Sequence, residues 1–404
     1  MAFFFSMPTL DLNSDTVRQF MAEHENSDPA LLMLNASKFP DIPMRQVVAQ
    51  IQARKKAKTK LAEWYAQPRI IFPPVLSVEQ ASSELTARYK SKLMRGESLL
   101  DLTGGMGVDT FYLGQSFNQV TYVEQNEALV SLARHNFSIL KARHIEVYQA
   151  DAVSYLHQTK DPFDCIYIDP ARRNRDAHKI FELEGCTPNV LSILGALLKK
   201  GKQVFVKTAP LLDVSAAVNA FKQVEDVWVL AVRQECKEIL YKLSANGGTD
   251  PVIHTVHLHH DEEQHFAFTT EDEARTVVEY AKPQTFIYEP NPAILKAGAF
   301  KSLAKRYQLL KLHPNSHLYT SAQKVTDFPG RGFKLSEISK YNRKALKRAV
   351  PSAQANITTR NFPDSVKHIR KKTGLREGGD VYIFATTDID NQLQMLICKK
   401  LNKA

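Results

Sequence analysis

Cysteine is scarce in these 404 residues. Cys165, Cys186, Cys236 and Cys398 show no paired spacing, so neither a disulfide framework nor a zinc-ligand set is expected. No apolar run approaches the roughly 20 residues that span a bilayer. Met1–Met7 also lacks the basic start and long apolar core of a signal peptide. A cytoplasmic protein without membrane segments or bound metal is therefore expected. A third glycine is missing too, where it would matter most. Gly105-Met-Gly107 is followed by Thr110, whereas dinucleotide binding wants G-x-G-x-x-G with the last glycine packing helix on strand.

What is present is a glycine turn between an apolar strand and a helix, Ser98-Leu-Leu-Asp-Leu-Thr-Gly-Gly-Met-Gly-Val-Asp-Thr110. Asp101 inside that turn would repel a pyrophosphate but suits the zwitterionic methionine end of S-adenosylmethionine. Gly105 and Gly107, with Thr103 beside them, let backbone approach a nucleoside closely. Glu124 closes the next strand, 23 residues beyond Asp101, at the offset where a carboxylate takes ribose hydroxyls. Asp151 closes the third, so that Asp151-Ala152 lies beside the adenine, and Asp169 the fourth. Each acid alone reads as a helix cap or turn residue; four on successive strand ends describe a methyl-donor site.

Strands are expected at 98–102, 119–124, 145–149, 164–169, 202–207, 227–233 and 238–243. Alternation with helices implies a parallel, Rossmann-like α/β sheet of seven strands, whose last two, too close for a crossover, pair antiparallel. This core occupies residues 96–245. Residues 1–95 read as a helical region. Within it Asp41–Tyr65 carries a basic face of Arg54, Lys55, Lys56, Lys58 and Lys60, either solvated or touching nucleic acid. Ser77 with Gln80 forms a capping box for a helix whose inward stripe is Leu85, Tyr89 and Leu93. Asn246–Pro251 reads as a linker to a small α+β domain, 246–330, with helices near 271–281 and 293–306 and seven of the 13 histidines. His257 and His259 share a strand face there, without the neighbours that metal binding needs.

Residues 331–404 hold 16 Lys and Arg against 6 Asp and Glu, an excess equal to the net charge of the whole chain, +10. The charges cluster at Lys340–Arg348 and Lys367–Arg376, the latter a helix ending at Gly374. Such bias reads as a phosphate-backbone footprint, with Lys367, Arg370, Lys371 and Lys372 as candidate RNA contacts.

Asp169-Pro170-Ala171-Arg172 supplies the chemistry. An amide-like nitrogen is a poor nucleophile, and the Asp169 carboxylate with a backbone carbonyl fixed by Pro170 can accept its amino protons while nitrogen, methyl carbon and sulfur are held in line. A ribose hydroxyl would instead need a lysine base, and Lys90, Asp169, Lys207 and Glu238 stand in the order such tetrads use. Pyrimidine carbon methylation would need a cysteine near the motif, and Cys165 is mid-strand. A donor-binding RNA assembly factor is the non-enzymatic alternative, against which the intact Asp169-Pro170 argues.

With Asp-Leu-Thr-Gly-Gly-Met-Gly, Tyr-Val-Glu-Gln-Asn and Ile-Asp-Pro-Ala-Arg-Arg in place, residues 77–243 resemble class I S-adenosylmethionine-dependent methyltransferases. The likeness is greatest to those acting on the guanine 2-amino group in RNA, including the trimethylguanosine synthase type. The whole chain is similar to bacterial methyltransferases with a THUMP-like C-terminal domain. The resemblance implies S-adenosyl-L-methionine as cofactor, structured RNA such as tRNA or rRNA as substrate, and Ser83 and Thr86 as contacts to the donor's methionine end. Arg172 stands where such enzymes carry a base-stacking aromatic; a guanidinium plane stacks on bases as well, and Arg172 or Arg173 could instead hold a phosphate.

Overall fold

The computed structural model describes residues 11–172, 183–259 and 262–401. The chain divides into two compact units. One runs up to Glu225 and includes Leu240–Thr249; the other comprises Asp226–Ile239 and the chain from Asp250 onward.

The first unit opens with helices, among them Asp15–Glu23, Pro29–Leu34 and Met44–Lys60. Their apolar faces meet in a core of Val17, Phe20, Leu32, Met44, Val47, Val48 and Ile51. The basic face expected on the third helix is largely occupied by the protein itself. Arg54 donates to the carbonyls of Tyr65 and Ile70 at 2.7 and 3.2 Å and lies over the Tyr65 and Phe72 rings. Lys56 pairs with Glu79 and Lys58 with Glu25.

The capping box at Ser77 does not form. A short helix, Val75–Gln80, starts after Pro74. A second, Glu84–Leu93, is capped by Ser83, whose hydroxyl accepts from Thr86 N–H at 3.2 Å. The buried face of this helix is Thr86, Ala87, Tyr89 and Lys90; of the expected stripe Tyr89 is buried, while Leu85 and Leu93 are half-buried.

The main sheet begins with β1 Ser98–Asp101, β2 Gln119–Glu124, β3 Ile145–Gln149 and β4 Phe163–Ile168. β5 Ala171–Arg172 and β6 Cys186–Thr187 pair as a small antiparallel ladder. Then follow β7 Gly201–Thr208, β8 Val224–Val232, β9 Glu235–Leu243, β10 Val252–Leu258 and β11 Glu263–Phe268. The strand order is β11-β10-β8-β9-β7-β4-β1-β2-β3, and β7-β4-β1-β2-β3 are parallel throughout. Two residues join β8 to β9, a connection that allows only an antiparallel hairpin.

The sheet therefore has nine strands, not seven. Val252–Leu258, expected to open a new domain, instead pairs in parallel with β8, from Val252 opposite Asp226 to Leu258 opposite Val232, and β11 folds back on it. β10 passes over its neighbour in sequence, β9, to pair with β8, which is why local patterning does not reveal the pairing.

The second unit also holds a seven-stranded sheet. Its strands are β12 Phe286–Pro290, β13 Leu310–Lys311, β14 Tyr319–Ser321, β15 Gly330–Ser339, β16 Asn356–Arg360, β17 Val381–Thr387 and β18 Leu393–Lys400. They lie in the order β13-β14-β12-β15-β18-β17-β16. The helix expected at 271–281 is confined to Thr270–Arg275. That expected at 293–306 is split into Pro292–Ala297 and Lys301–Arg306 by Gly298, in the left-handed conformation. Among the described residues no helix is long and apolar enough to cross a membrane.

Candidate active site

Parallel strands end together, so their exits form one rim. On the rim of the first unit, Asp101, Glu124, Asp151 and Asp169 each stand at or just beyond the end of β1, β2, β3 and β4. The turn after β1 is held by side chains on both sides. Asp101 is 1% exposed; one carboxylate oxygen accepts from Thr103 N–H at 3.0 Å and the other from the Thr110 hydroxyl at 2.6 Å. Burial outweighs both bonds and pushes its pKa up to about 7.

Glu124 accepts from Gly105 N–H at 3.1 Å and from Asn126 N–H at 2.8 Å, while the Tyr122 hydroxyl donates to the Gly105 carbonyl at 2.6 Å. Gly107 begins the helix Val108–Gly114 at φ 87°, and a Cβ there would stand 2.7 Å from the Phe137 ring. A Cβ on Gly105, at φ 55°, would meet the Thr103 carbonyl oxygen at an ordinary 3.8 Å. Close packing thus accounts for Gly107, and left-handed backbone for Gly105.

These residues fit a nucleoside methyl donor. The glycine turn, with no side chain on Gly105, lies beside the half-buried Glu124 carboxylate, whose oxygens keep lone pairs for ribose hydroxyls. Asp151 caps the helix Ala152–Gln158, accepting from Ser154 N–H at 2.9 Å. Ser83 and Thr86 bond to one another at the start of their helix.

The β4 exit is built from charge. Asp169 N–H donates to the Thr103 hydroxyl at 2.6 Å, tying the β4 exit to the turn after β1. Its carboxylate lies 2.5 Å from Lys207 Nζ on β7, with 36% of the side chain exposed. Surrounding protein pushes the Asp169 pKa up and Lys207 pulls against it; the exposure screens part of that push. Pro170 follows, and β5 carries Ala171 opposite Thr187 and Arg172 opposite Cys186. Arg173 lies outside the described residues.

Beneath Asp169 is a residue that reading the sequence passes over. Asp109, half-buried at the start of Val108–Gly114, meets Lys90 Nζ at 2.9 Å and Lys207 Nζ at 3.3 Å, and accepts from the Ser82 and Tyr167 hydroxyls, each at 2.7 Å. The two ammonium groups hold its carboxyl well below the usual range. In sequence it resembles any acid in a helix's first turn; the one available signal is a lysine, Lys90, on what must be a buried face. Removing one partner from such a buried set costs roughly 3–5 kcal/mol.

Of the lysine–aspartate–lysine–glutamate tetrad, Lys90, Lys207 and Asp169 therefore share one cluster. Glu238 is buried on β9, in the part of that strand belonging to the second unit. Cys165 is wholly buried and its thiol is pushed far up by burial, so it is no nucleophile.

In the second unit, the helix Val366–Thr373 ends at Gly374, φ 78°, and buries Ile369 and Thr373. Arg370 is not a free surface cation: it donates to the Ala355 and Leu375 carbonyls at 3.2 and 3.5 Å. Lys367 and Lys371 are exposed, and the exposed Lys372 ammonium lies 4.0 Å from the Tyr341 ring centre. The His257 and His259 rings are 4.2 Å apart, and His257 bonds to Gln264 and the Arg233 carbonyl. His260 lies outside the described residues.

Three sequence families match parts of the chain: Conserved hypothetical protein 95 over residues 76–208, a ferredoxin-like domain over 286–329 and a THUMP domain-like family over 330–400. A crystal structure from Porphyromonas gingivalis W83, assigned as a methyltransferase, is 32% identical, with a TM-score of 0.87 over 96% of this chain and 98% of its own. The chain belongs to this methyltransferase family with a THUMP-like domain. Membership implies S-adenosyl-L-methionine as the methyl donor.

Ribosomal RNA small subunit methyltransferase J of Coxiella burnetii is 30% identical over 130 residues, 29% of this chain and 51% of that protein. An uncharacterised RNA methyltransferase of Mycoplasma mobile is 34% identical over 77 residues, 19% of this chain and 21% of that one. The chain thus spans about half the length, or less, of the curated relatives it matches.

Proposed function

We propose that the protein methylates an exocyclic amino group of an RNA base, guanine foremost, in rRNA or tRNA. The observation that carries this reading is the Asp169 carboxylate, partly exposed at the β4 exit and locked to Lys207. Held between Asp169 and Asp109, Lys207 is favoured as an ammonium ion and is a poor base for a ribose hydroxyl. An amine needs less. It requires a carboxylate to accept its proton's hydrogen bond and a carbonyl, fixed by Pro170, to set its angle. S-adenosylmethionine, when bound, supplies a methyl group on a cationic sulfur. Asp101, Thr103, Gly105, Gly107, Glu124, Asp151 and Ala152 would hold it, with Ser83 and Thr86 toward its methionine end. Asp169 orients the acceptor, and Arg172 stacks on or anchors it.

RNA as substrate is supported by the names of the relatives and by the charge of residues 331–404. Mass spectrometry of nucleosides in RNA from cells with and without the protein tests the proposal, small-subunit rRNA first. A methylated guanosine should disappear; loss of a ribose-methylated nucleoside, or no change in any, would overturn it. Charge reversal at Lys367, Lys371 and Lys372 should weaken RNA binding and flatten its salt dependence, each phosphate contact contributing a slope of roughly −0.7 to −0.9. Unaltered affinity and slope would make this helix a structural module.

A further inference from the structure

We propose that Asp109 is a positioning residue that couples the donor turn to the acceptor carboxylate, fixing Lys207, which in turn fixes Asp169. This rests on the reading of Asp169 as the group that receives the acceptor.

The polar contacts close a circuit. Thr103 N–H and the Thr110 hydroxyl hold the two oxygens of Asp101. Thr110 is the chain neighbour of Asp109, whose carboxylate meets Lys207 at 3.3 Å. Lys207 meets Asp169 at 2.5 Å, and Asp169 N–H returns to the Thr103 hydroxyl at 2.6 Å. Asp109 lies two residues beyond Gly107, so a donor that shifts the glycine turn shifts the start of this helix with it. Lys90 is wholly buried and out of reach of any substrate. Its ammonium pins one Asp109 oxygen, leaving the other for Lys207, Ser82 and Tyr167. Two lysines and two aspartates balance in charge. An arrangement that served stability alone would not need its fourth member partly exposed at the strand exit.

The charged groups around Asp169 are Lys207 from β7, Asp109 from Val108–Gly114, Lys90 from Glu84–Leu93 and Asp101 from β1. Asp109 opposes ionisation of Asp169 in two ways, by its charge and by competing for Lys207, whereas Lys90 assists it by charge alone. The double variant Asp109→Asn with Lys90→Met removes both buried charges, so neither is stranded. Asp169 is then the remaining carboxylate beside Lys207, which keeps its bond to the Ser82 hydroxyl at 3.1 Å.

In the apo protein, carbon-13 NMR of aspartate carboxyls, with Asp169 assigned through Asp169→Asn, should show the Asp169 titration lowered by about one pH unit. The acid limb of kcat should move down with it, and kcat should fall about tenfold on RNA from cells lacking the protein. KM for RNA and affinity for S-adenosylhomocysteine should stay within about twofold. Tyr167→Phe takes one neutral donor from the Asp109 oxygen that faces Lys207, and with it an acceptor that Lys90 reaches at 3.3 Å, while Lys90 keeps the other Asp109 oxygen and no charge is stranded. Asp109 then draws Lys207 more strongly, and the Asp169 titration should move up, the opposite sign. An unmoved Asp169 titration in both folded variants would overturn the coupling. If the wild-type protein methylates no RNA, the functional reading fails, while the NMR titrations still decide the coupling.

Discussion

The two halves of the rim use carboxylates in opposite ways. At the glycine turn, the proposed donor side, Asp101 and Glu124 are held by neutral donors, backbone N–H groups and a threonine hydroxyl. At the β4 exit, the proposed acceptor side, Asp109 and Asp169 are held by two lysines. Neutral donors fix shape but leave charge to the ligand, because a buried carboxylate without a counter-ion pays its desolvation unaided. Lysines fix the charge itself. On the proposed reading, a site that accepts a cationic methyl donor gains from the first arrangement, and one that presents a constant hydrogen-bond acceptor to a neutral amine gains from the second.

The largest expected effect separates the halves most sharply. Asp169→Ala removes the acceptor's partner and leaves the glycine turn in place, so turnover should fall by about a thousandfold or more, with S-adenosylhomocysteine affinity within a few fold by calorimetry. A large loss of affinity with turnover retained would exchange the two roles. Glu124→Ala is the mirror experiment. It removes the carboxylate placed for the ribose and the bond that orders Gly105, and donor affinity should drop roughly 10- to 100-fold, the worth of one or two hydrogen bonds to a charged group. Equal donor affinity in this variant would remove Glu124 from the donor site.

How much of this was legible in sequence differs between the halves for the same physical reason. Asp101, Glu124, Asp151 and Asp169 could be found because a strand, its exit and an acid are adjacent in the chain. Asp109 could not, because its meaning depends on Lys90 and Lys207, 19 residues before it and 98 after. Lys90 carried a hint in standing on the helix face that packs inward. The basic stretches teach the same lesson. Arg54, Lys56 and Lys58 look as available as Lys367 and Lys371, yet their partners, Tyr65, Ile70, Glu79 and Glu25, come from other elements. The nine-stranded sheet was missed because the pairing of β10 on β8 skips over β9. The Ser77 capping box was legible as a local pattern, but Ser77 falls inside the short helix Val75–Gln80, and the next helix is capped instead by Ser83.

The smallest effect tests the donor half alone. Burial raises Asp101 to about 7 from an unfolded value near 3.9. A carboxyl raised in the folded state contributes stability that is fully present below the unfolded value and lost as pH rises through 7, because the unfolded chain gives up its proton first. Between pH 5.5 and 7.5 this group should lower the stability of the apo protein by roughly 2 kcal/mol, against an Asp101→Asn variant in which the loss is absent. Ligand affinity should run the other way. A zwitterionic ligand brings an ammonium group that favours ionised Asp101, so S-adenosylhomocysteine should bind up to about tenfold more tightly across the same interval, measured by calorimetry at both ends. Asp109, held in its ionised form by Lys90 and Lys207, does not titrate in this window and leaves both trends intact. Stability and affinity moving in opposite directions, with both trends abolished by Asp101→Asn, is the signature of a donor carboxylate that waits for its counter-ion; parallel trends, or trends that survive the substitution, would place the titrating group elsewhere.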